Sequence, residues 1–130
     1  MLCLNLKDLS IKNKNTICDE TGLVKYWSQP DFAYKSRVHI YDSDDNEIGY
    51  VQFKILSIQD GINFFDKEDN PIEMKDFKVV NQKDEYNFEI INNDNIVCVN
   101  RKEDSLLVKY DENIDLNRCI LFIISLLIKE

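Results

Sequence analysis

The chain has 130 residues, of which 44% are apolar, and it carries a net charge of −8 with a pI near 4.7. This length and apolar content predict one globular domain spanning residues 1–130, with enough chain to bury a substantial core. The negative charge argues against a nucleic-acid binder and against association with anionic membranes, because phosphate groups are bound by basic surfaces.

A repeat is the strongest organising pattern along the chain. Four apolar runs each end at a turn rich in Asp and Asn, and their anchor residues follow at intervals of 23 to 26 residues: Asp19, Asp42, Asp66 and Asn92. Regular spacing of this size, with turn chemistry at every anchor, predicts successive hairpins of an antiparallel meander.

The residues before each anchor alternate in character. Two positions before it stand Ile17, Ile40, Phe64 and Ile90; four positions before it stand Asn15, Val38, Ile62 and Phe88. Three positions before it stand the polar residues Thr16, His39, Asn63 and Glu89. Because successive side chains of a strand point to opposite faces, the first two sets are predicted to face inward and the third outward. His39 is therefore predicted to be an outer-face residue rather than a catalytic base or a metal ligand.

The remaining strands follow from the runs that leave each turn and from three further apolar runs. The left-handed positions of the four turns are predicted at Gly22, Asn46, Asn70 and Asn95. Outgoing or additional strands are predicted at residues 2–6, 23–27, 47–56, 72–74, 77–80, 96–100 and 106–110.

The chain ends in an apolar segment, residues 119–128, in which Ser125 is the only plainly polar residue. A helix that is apolar on all sides must be surrounded on all sides, and this one is too short for a bilayer, which needs roughly 20 residues. Asp115 is the predicted N-cap and Lys129 suits the negative C-terminal end, so the helix is predicted at about residues 115–129. A buried strand is the alternative, because periodicity alone does not separate the two.

Together these elements predict a mainly β fold, an antiparallel meander barrel of about 10–12 strands wrapped around the buried C-terminal hydrophobic helix. A barrel of about eight strands encloses only its own side chains, whereas a helix roughly 10 Å across needs a wider interior.

The chain resembles the tubby C-terminal-like superfamily, specifically the small LURF-one-related proteins of bacteria. The resemblance rests on Ile40-Tyr41-Asp42 through Asn46-Glu47-Ile48-Gly49, followed by Phe53-Lys54-Ile55-Leu56-Ser57, and on the similar unit that ends at Asp19-Glu20-Thr21-Gly22. The closing Asp115 and apolar helix extend the likeness over nearly the whole chain.

The resemblance implies a barrel of antiparallel strands around a buried C-terminal helix. The chain is short between Met74 and Tyr86, which implies an open barrel or fewer strands. Relatives include phosphoinositide-binding tubby domains and phospholipid scramblases, but a shared fold does not carry those roles over.

Lys35 and Arg37, with Lys54 on an adjacent strand, form the compact basic patch of the sequence and are the candidate lipid- or phosphate-binding residues. Pairing with nearby carboxylates is the alternative that we favour, because six acidic residues lie close in sequence: Asp31, Asp42, Asp44, Asp45, Glu47 and Asp60.

Metal and catalytic sites are not predicted. The turn from Asp42 to Asn46 superficially matches a calcium loop, but it lacks the Gly and Glu that such a loop needs and is predicted to be a solvated tip. The four cysteines form no Cys-x-x-Cys pair, and no secretory signal begins the chain. We therefore expect reduced, buried thiols, no disulfide, no cofactor, no structural metal and a cytoplasmic location.

The function predicted from these observations is a non-enzymatic binding or scaffold domain for an unknown protein or small ligand. The alternative is a membrane-associated phospholipid-binding or scramblase-like protein. An enzyme with an unrecognised site is a third hypothesis, and a polar pocket with converging titratable groups would favour it.

Overall fold

The structure is a computed structural model that describes residues 1–33, 36–53 and 62–128. Within these residues a short 3₁₀ helix, Leu6–Asp8, follows the first strand. The strands and the helix are, in chain order, β1 Leu2–Asn5, β2 Asn15–Asp19, β3 Val24–Pro30, β4 Arg37–Asp42, β5 Glu47–Gln52, β6 Asn63–Phe65, β7 Phe77–Asp84, β8 Asn87–Asn92, β9 Asn95–Lys102, β10 Ser105–Lys109 and α1 Leu116–Leu127.

The strands form one antiparallel sheet in the order β6-β5-β4-β3-β2-β1-β10-β9-β8-β7. Consecutive strands are neighbours throughout each half of this order. β1 pairs with β10, with Leu2 opposite Val108 and Leu4 opposite Leu106, so the first and last strands join the two halves of the sheet. The meander predicted from the repeat is confirmed, with ten strands in the described part of the chain.

Among the described residues, the sheet does not close into a complete barrel. β6 and β7 are its two edges, although they are consecutive in sequence. The connection between them makes one isolated bridge, Phe65 to Pro71, and one bond from the Ile72 N–H to the Phe64 carbonyl. The strand predicted at residues 72–74 is therefore wrong, and proline, which has no N–H to donate, limits pairing here. The sheet wraps around α1 as an open barrel.

Three turns of the repeat have the same geometry. The carboxylate Oδ1 of Asp42 accepts hydrogen bonds from the N–H groups of Asp44 and Asn46, and Asp19 and Asp66 do the same in their own turns. The left-handed residue lies three positions after the anchor, which confirms Gly22. The predictions of Asn46, Asn70 and Asn95 are wrong, because the residues with positive φ are Asp45, Asp69 and Asn93.

The predicted inward face is largely confirmed. Ile17, Ile40 and Ile90 are at most 1% exposed, and Phe64 packs against the same core. Ile62 is the exception, because it lies before the short edge strand β6 and is 38% exposed. Tertiary position at the edge of the sheet overrides alternation there.

The C-terminal segment is an α-helix, as predicted. The Asp115 side chain accepts a hydrogen bond from the Arg118 N–H, which confirms the N-cap, and Ile120, Ile123 and Ile124 are fully buried. Lys129 lies outside the described residues. The buried Ser125 hydroxyl donates to the Phe122 carbonyl of the same helix, so its burial leaves no unsatisfied hydroxyl.

The helix is not surrounded on all sides, contrary to the prediction. Residues spaced four apart on one face, Arg118, Phe122 and Leu126, are partly exposed. The Phe122 ring lies 6.4 Å from that of Phe64 beside one edge of the sheet and 5.5 Å from that of Phe77 beside the other. This stripe faces the gap between β6 and β7, because the sheet around α1 is open at that point.

Gly49 brings the sheet and the helix into close contact. A Cβ atom at this position would lie 2.5 Å from the Phe65 carbonyl oxygen and 3.2 Å from the Leu121 side chain, and φ is +150°. A glycine is required here because both the space and the backbone conformation exclude a side chain.

The cysteines differ from the prediction of buried thiols. All four are free, but only Cys119 is buried, while Cys3, Cys18 and Cys98 are partly exposed. Alternation explains the difference, because these three side chains lie on the outer face of their strands.

Candidate functional site

Of the three predicted phosphate-binding residues, Arg37 alone is among those that the structure describes. Lys35 and Lys54 lie outside the described residues. The Arg37 guanidinium lies 4.9 Å from the centre of the Tyr50 ring, and its Nε donates to the Gln52 side chain. The structure thus places Arg37 over the Tyr50 ring, on the outer face of β5.

His39 lies beside the Tyr50 ring and is held between two carboxylates, those of Glu47 and Asp31. We call this arrangement the clamp. Its Nδ1 is 2.8 Å from Glu47 Oε2, and its Nε2 is 2.5 Å from Asp31 Oδ2. The prediction that His39 faces outward is confirmed, although only 18% of its side chain is exposed.

A β-bulge brings Glu47 to the outer face. Ile40 pairs with Gly49, but the next residue of β4 pairs with Glu47, so Ile48 is the extra residue. Strict alternation from Gly49, which faces the helix, would place Ile48 outward and Glu47 inward. The bulge reverses both, so Ile48 packs against the core and Glu47 reaches His39.

The clamp favours the protonated form of His39. Burial alone lowers its pKa, but the hydrogen bonds and negative charges of Glu47 and Asp31 outweigh burial, so the pKa is raised. The protonated ring donates from both nitrogens, and neither nitrogen is available as a general base. His39 therefore ties the loop after β3 and the start of β5 to β4.

The outer face around Tyr50 has its polar groups paired in the same way. Tyr50 is 4% exposed although it points away from the helix, because Phe65 stacks on it at 5.1 Å. Its hydroxyl donates to Asp69 Oδ1 at 2.6 Å, and burial together with that carboxylate raises the pKa of Tyr50 to about 12. The contacts of Tyr50 with Phe65 and Asp69 stabilise the hairpins. Few polar groups in this cluster are left unpaired for a ligand.

A cavity of about 480 Å³ lies at the end of the barrel where α1 begins, and we call it the mouth pocket. Side chains of β1, β2, β3, β4 and α1 reach it. Its lining is Met1, Leu2, Asp19, Glu20, Lys25, Tyr26, Asp42, Ser43, Tyr110, Leu116 and Asn117. Its volume falls in the range of roughly 300–1,000 Å³ typical of small-ligand sites, and barrel mouths are frequent places for such sites.

Tyr26 lines the mouth pocket and is hydrogen-bonded to the first turn of α1. The Tyr26 hydroxyl donates to Asn117 Oδ1 at 2.8 Å, and burial followed by the nearby Tyr110 and Asp42 raises the pKa of Tyr26 to about 12. Tyr26 therefore stays protonated at neutral pH.

Three carboxylates line the mouth pocket, and they differ in their partners. Glu20 lies 3.1 Å from the Met1 amino nitrogen, and Asp19 lies 3.8 Å from Lys25 Nζ. Asp42 has no cationic group in salt-bridge distance among the described residues, and its turn uses Oδ1 alone. Asp42 is thus the carboxylate best placed to meet a cation.

A second cavity, of about 510 Å³, is lined by residues 62–65 and 71–75. It is formed by two neighbouring segments, and its charged side chains are Glu73 and Lys75. Fewer elements and fewer polar groups converge there than in the mouth pocket.

Sequence reasoning missed both the clamp and the mouth pocket. A usable signal existed for the clamp, since Asp31 and Glu47 each lie eight residues from His39, one on each side of a strand. For the mouth pocket the signal is Asp42 itself, whose sequence context predicts only a turn residue. Among the described residues, no cluster of three or more His, Cys, Asp or Glu side chains is arranged to hold a metal ion.

The fold is similar to that of a solved protein. An X-ray structure of a protein from Arabidopsis thaliana matches with a TM-score of 0.62 and 15% identity, over 96% of this chain and 87% of that chain. At this identity the likeness shows the fold alone. No protein-family model and no curated protein matches the sequence. Among the described helices, none has the length and apolar character needed to cross a membrane.

Proposed function

We propose that the chain is a non-enzymatic binding domain that takes a small ligand with a cationic group in the mouth pocket. The observation that supports this most directly is the convergence of polar side chains from four elements, β2, β3, β4 and α1, on one cavity. Such convergence on a concave surface is typical of ligand sites.

The charge of the lining supports a cation rather than an anion. Three carboxylates line this cavity against two cationic groups, Lys25 and the Met1 amino group, and Asp42 keeps one oxygen that its turn does not use. An ammonium or guanidinium group would pair with that oxygen, while the Tyr26 and Tyr110 rings would cover its apolar part.

A binding role without catalysis is supported by the state of the usual acid–base groups. The chain has one histidine, and both of its ring nitrogens are bonded to carboxylates. Cys119 is buried, and burial raises the pKa of its thiol to about 12, so it is a poor nucleophile.

We further infer that the chain is a tubby-like protein of the LURF-one-related group and acts in the cytoplasm. The assignment to this group is supported by the meander around a C-terminal helix and by the turn after Asp42, which resembles the turn of that group. The net charge of −8 supports a role away from anionic surfaces.

The test is a titration of the labelled protein with butylammonium, followed by amide NMR shifts, with butyrate and inorganic phosphate as matched anions. We expect saturable shifts confined to the mouth pocket with butylammonium. Asp42→Asn keeps the turn acceptor and removes the charge, so it is expected to weaken binding several-fold.

Asp66→Asn is the matched control, because it makes the same change in an equivalent turn that does not line the mouth pocket. Equal binding by wild type and Asp42→Asn would contradict the proposal. Saturable binding of butyrate or phosphate in the same cavity would contradict the predicted ligand charge and favour an anionic ligand such as a lipid headgroup.

A further inference from the structure

The register of β1 and β2 places two cysteines directly opposite each other. Cys3 is the strand partner of Cys18, between the pairs Leu2–Asp19 and Leu4–Ile17. Leu2, Leu4 and Ile17 are at most 2% exposed, so their side chains face the core. Alternation then places both cysteine side chains on the outer face, and both residues are partly exposed.

This register is compatible with the geometry of a disulfide. Paired residues of antiparallel strands have Cα atoms about 4.5 or 5.5 Å apart, and both values lie in the range of roughly 4.4–6.8 Å observed for disulfides. Side chains on the same face of directly paired residues have their Cβ atoms close together. The spacing typical of this register therefore allows the two sulfur atoms to be joined.

The surroundings favour a dithiol over a metal site. On the outer side of this pair, Cys18 has Val24 of β3 as its other strand partner, and Cys3 has Leu107 of β10. Both of these partners are aliphatic. No metal-binding cluster of three or more His, Cys, Asp or Glu side chains occurs in the described residues. Two thiols without a third ligand are suited to joining with each other.

The other two cysteines are held apart from this pair and from each other. Cys98 donates to the Glu89 carboxylate at 3.6 Å, and its strand partners are Glu89 and Lys109. Burial followed by the Glu89 charge raises the pKa of the Cys98 thiol, and burial raises that of Cys119 to about 12. Because the thiolate is the reactive form, these two thiols react slowly.

We propose that Cys3 and Cys18 form a reversible cross-strand disulfide when a small-molecule disulfide is supplied. The thiolate of one cysteine attacks a sulfur of glutathione disulfide, which forms a mixed disulfide and releases one glutathione thiolate. The second cysteine then attacks the protein sulfur of that mixed disulfide and releases the second glutathione. Two protein thiols are oxidised, and one glutathione disulfide is reduced to two glutathione molecules.

The test is incubation of the full-length reduced protein with glutathione disulfide, followed by intact mass and tryptic mapping. Each cysteine lies on its own tryptic peptide, and those of the proposed pair are residues 1–7 and 15–25. We expect loss of two hydrogen atoms, a link between these two peptides, reversal by dithiothreitol and a melting temperature several degrees higher. The rise follows because closing the loop restricts the unfolded chain.

Cys98→Ser is the matched control and should leave the link unchanged, whereas Cys18→Ser should abolish it and leave glutathione attached at Cys3. The proposal is overturned if both cysteines of the wild type carry glutathione without a link. It is also overturned if the link contains Cys98 or Cys119, or if all four thiols stay reduced. These wild-type outcomes do not depend on whether a variant folds.

Discussion

Replacement of Ile124 by alanine tests whether the helix is the core around which the sheet wraps. Ile124 is fully buried, whereas Leu126, on the same helix, is partly exposed at the gap between β6 and β7. Ile→Ala in a core costs about 2–5 kcal/mol, because it removes buried carbon atoms and leaves a cavity. Leu126→Ala, in which part of the side chain is already in water, is expected to cost about 1 kcal/mol.

Both changes introduce the residue with the highest helix propensity, so the helix itself does not explain a difference between them. The assay is urea denaturation followed by the fluorescence of Trp27, whose ring stacks on Tyr41 at 4.2 Å. We expect the free energies of unfolding to differ by about 2 kcal/mol, which is a large part of a typical stability of about 5–15 kcal/mol. Equal losses for the two variants, with unchanged m-values, would refute the central-helix interpretation.

Three further predictions concern the sheet and its outer face. Gly49→Ala is expected to cost roughly 2–5 kcal/mol in thermal melting, because its Cβ would meet the Phe65 carbonyl oxygen at 2.5 Å. Gly22→Ala is its control, with φ +89° but nothing within 4 Å, and should cost only about 1 kcal/mol; similar costs would contradict the steric argument. The raised pKa of His39 means that its clamp stabilises the fold fully below the unfolded pKa of about 6.5 and less as pH rises through the folded pKa. The stability difference between wild type and His39→Gln should therefore shrink in chemical denaturation above neutral pH, and a pH-independent difference would count against the charged clamp. No saturable binding to phosphatidylserine or phosphoinositide vesicles is expected in co-sedimentation at physiological salt, because three cations supply only about 3 kcal/mol and the chain carries −8. Saturable binding that is lost in Lys35→Glu with Arg37→Glu would favour the lipid alternative.

Much of the fold could be predicted from the sequence because its signals are local. The anchor Asp42 and its equivalents cap their turns through backbone groups two and four residues away. The Asp115 side chain caps the helix by accepting a hydrogen bond from the N–H of Arg118, three residues later. Turn chemistry, alternation and capping depend only on residues that are close in sequence. The sequence therefore predicts the repeat, the inward face and the helix. The left-handed turn positions predicted at Asn46 and Asn70 are wrong because the aspartate before each of them, Asp45 or Asp69, adopts that conformation.

The sequence by itself determined the antiparallel meander, its inward face and the apolar helix as the centre of the core. Only the tertiary structure decided that the sheet opens between β6 and β7, that Asp31, His39 and Glu47 meet, that Asp42 faces a cavity and that Cys3 lies opposite Cys18. Each of these depends on which strands are neighbours and in what register. Register is set by bulges such as the one at Ile48 and by the pairing of the first strand with the last. A shift of one residue moves every following side chain to the other face, and no local pattern in the sequence specifies that shift.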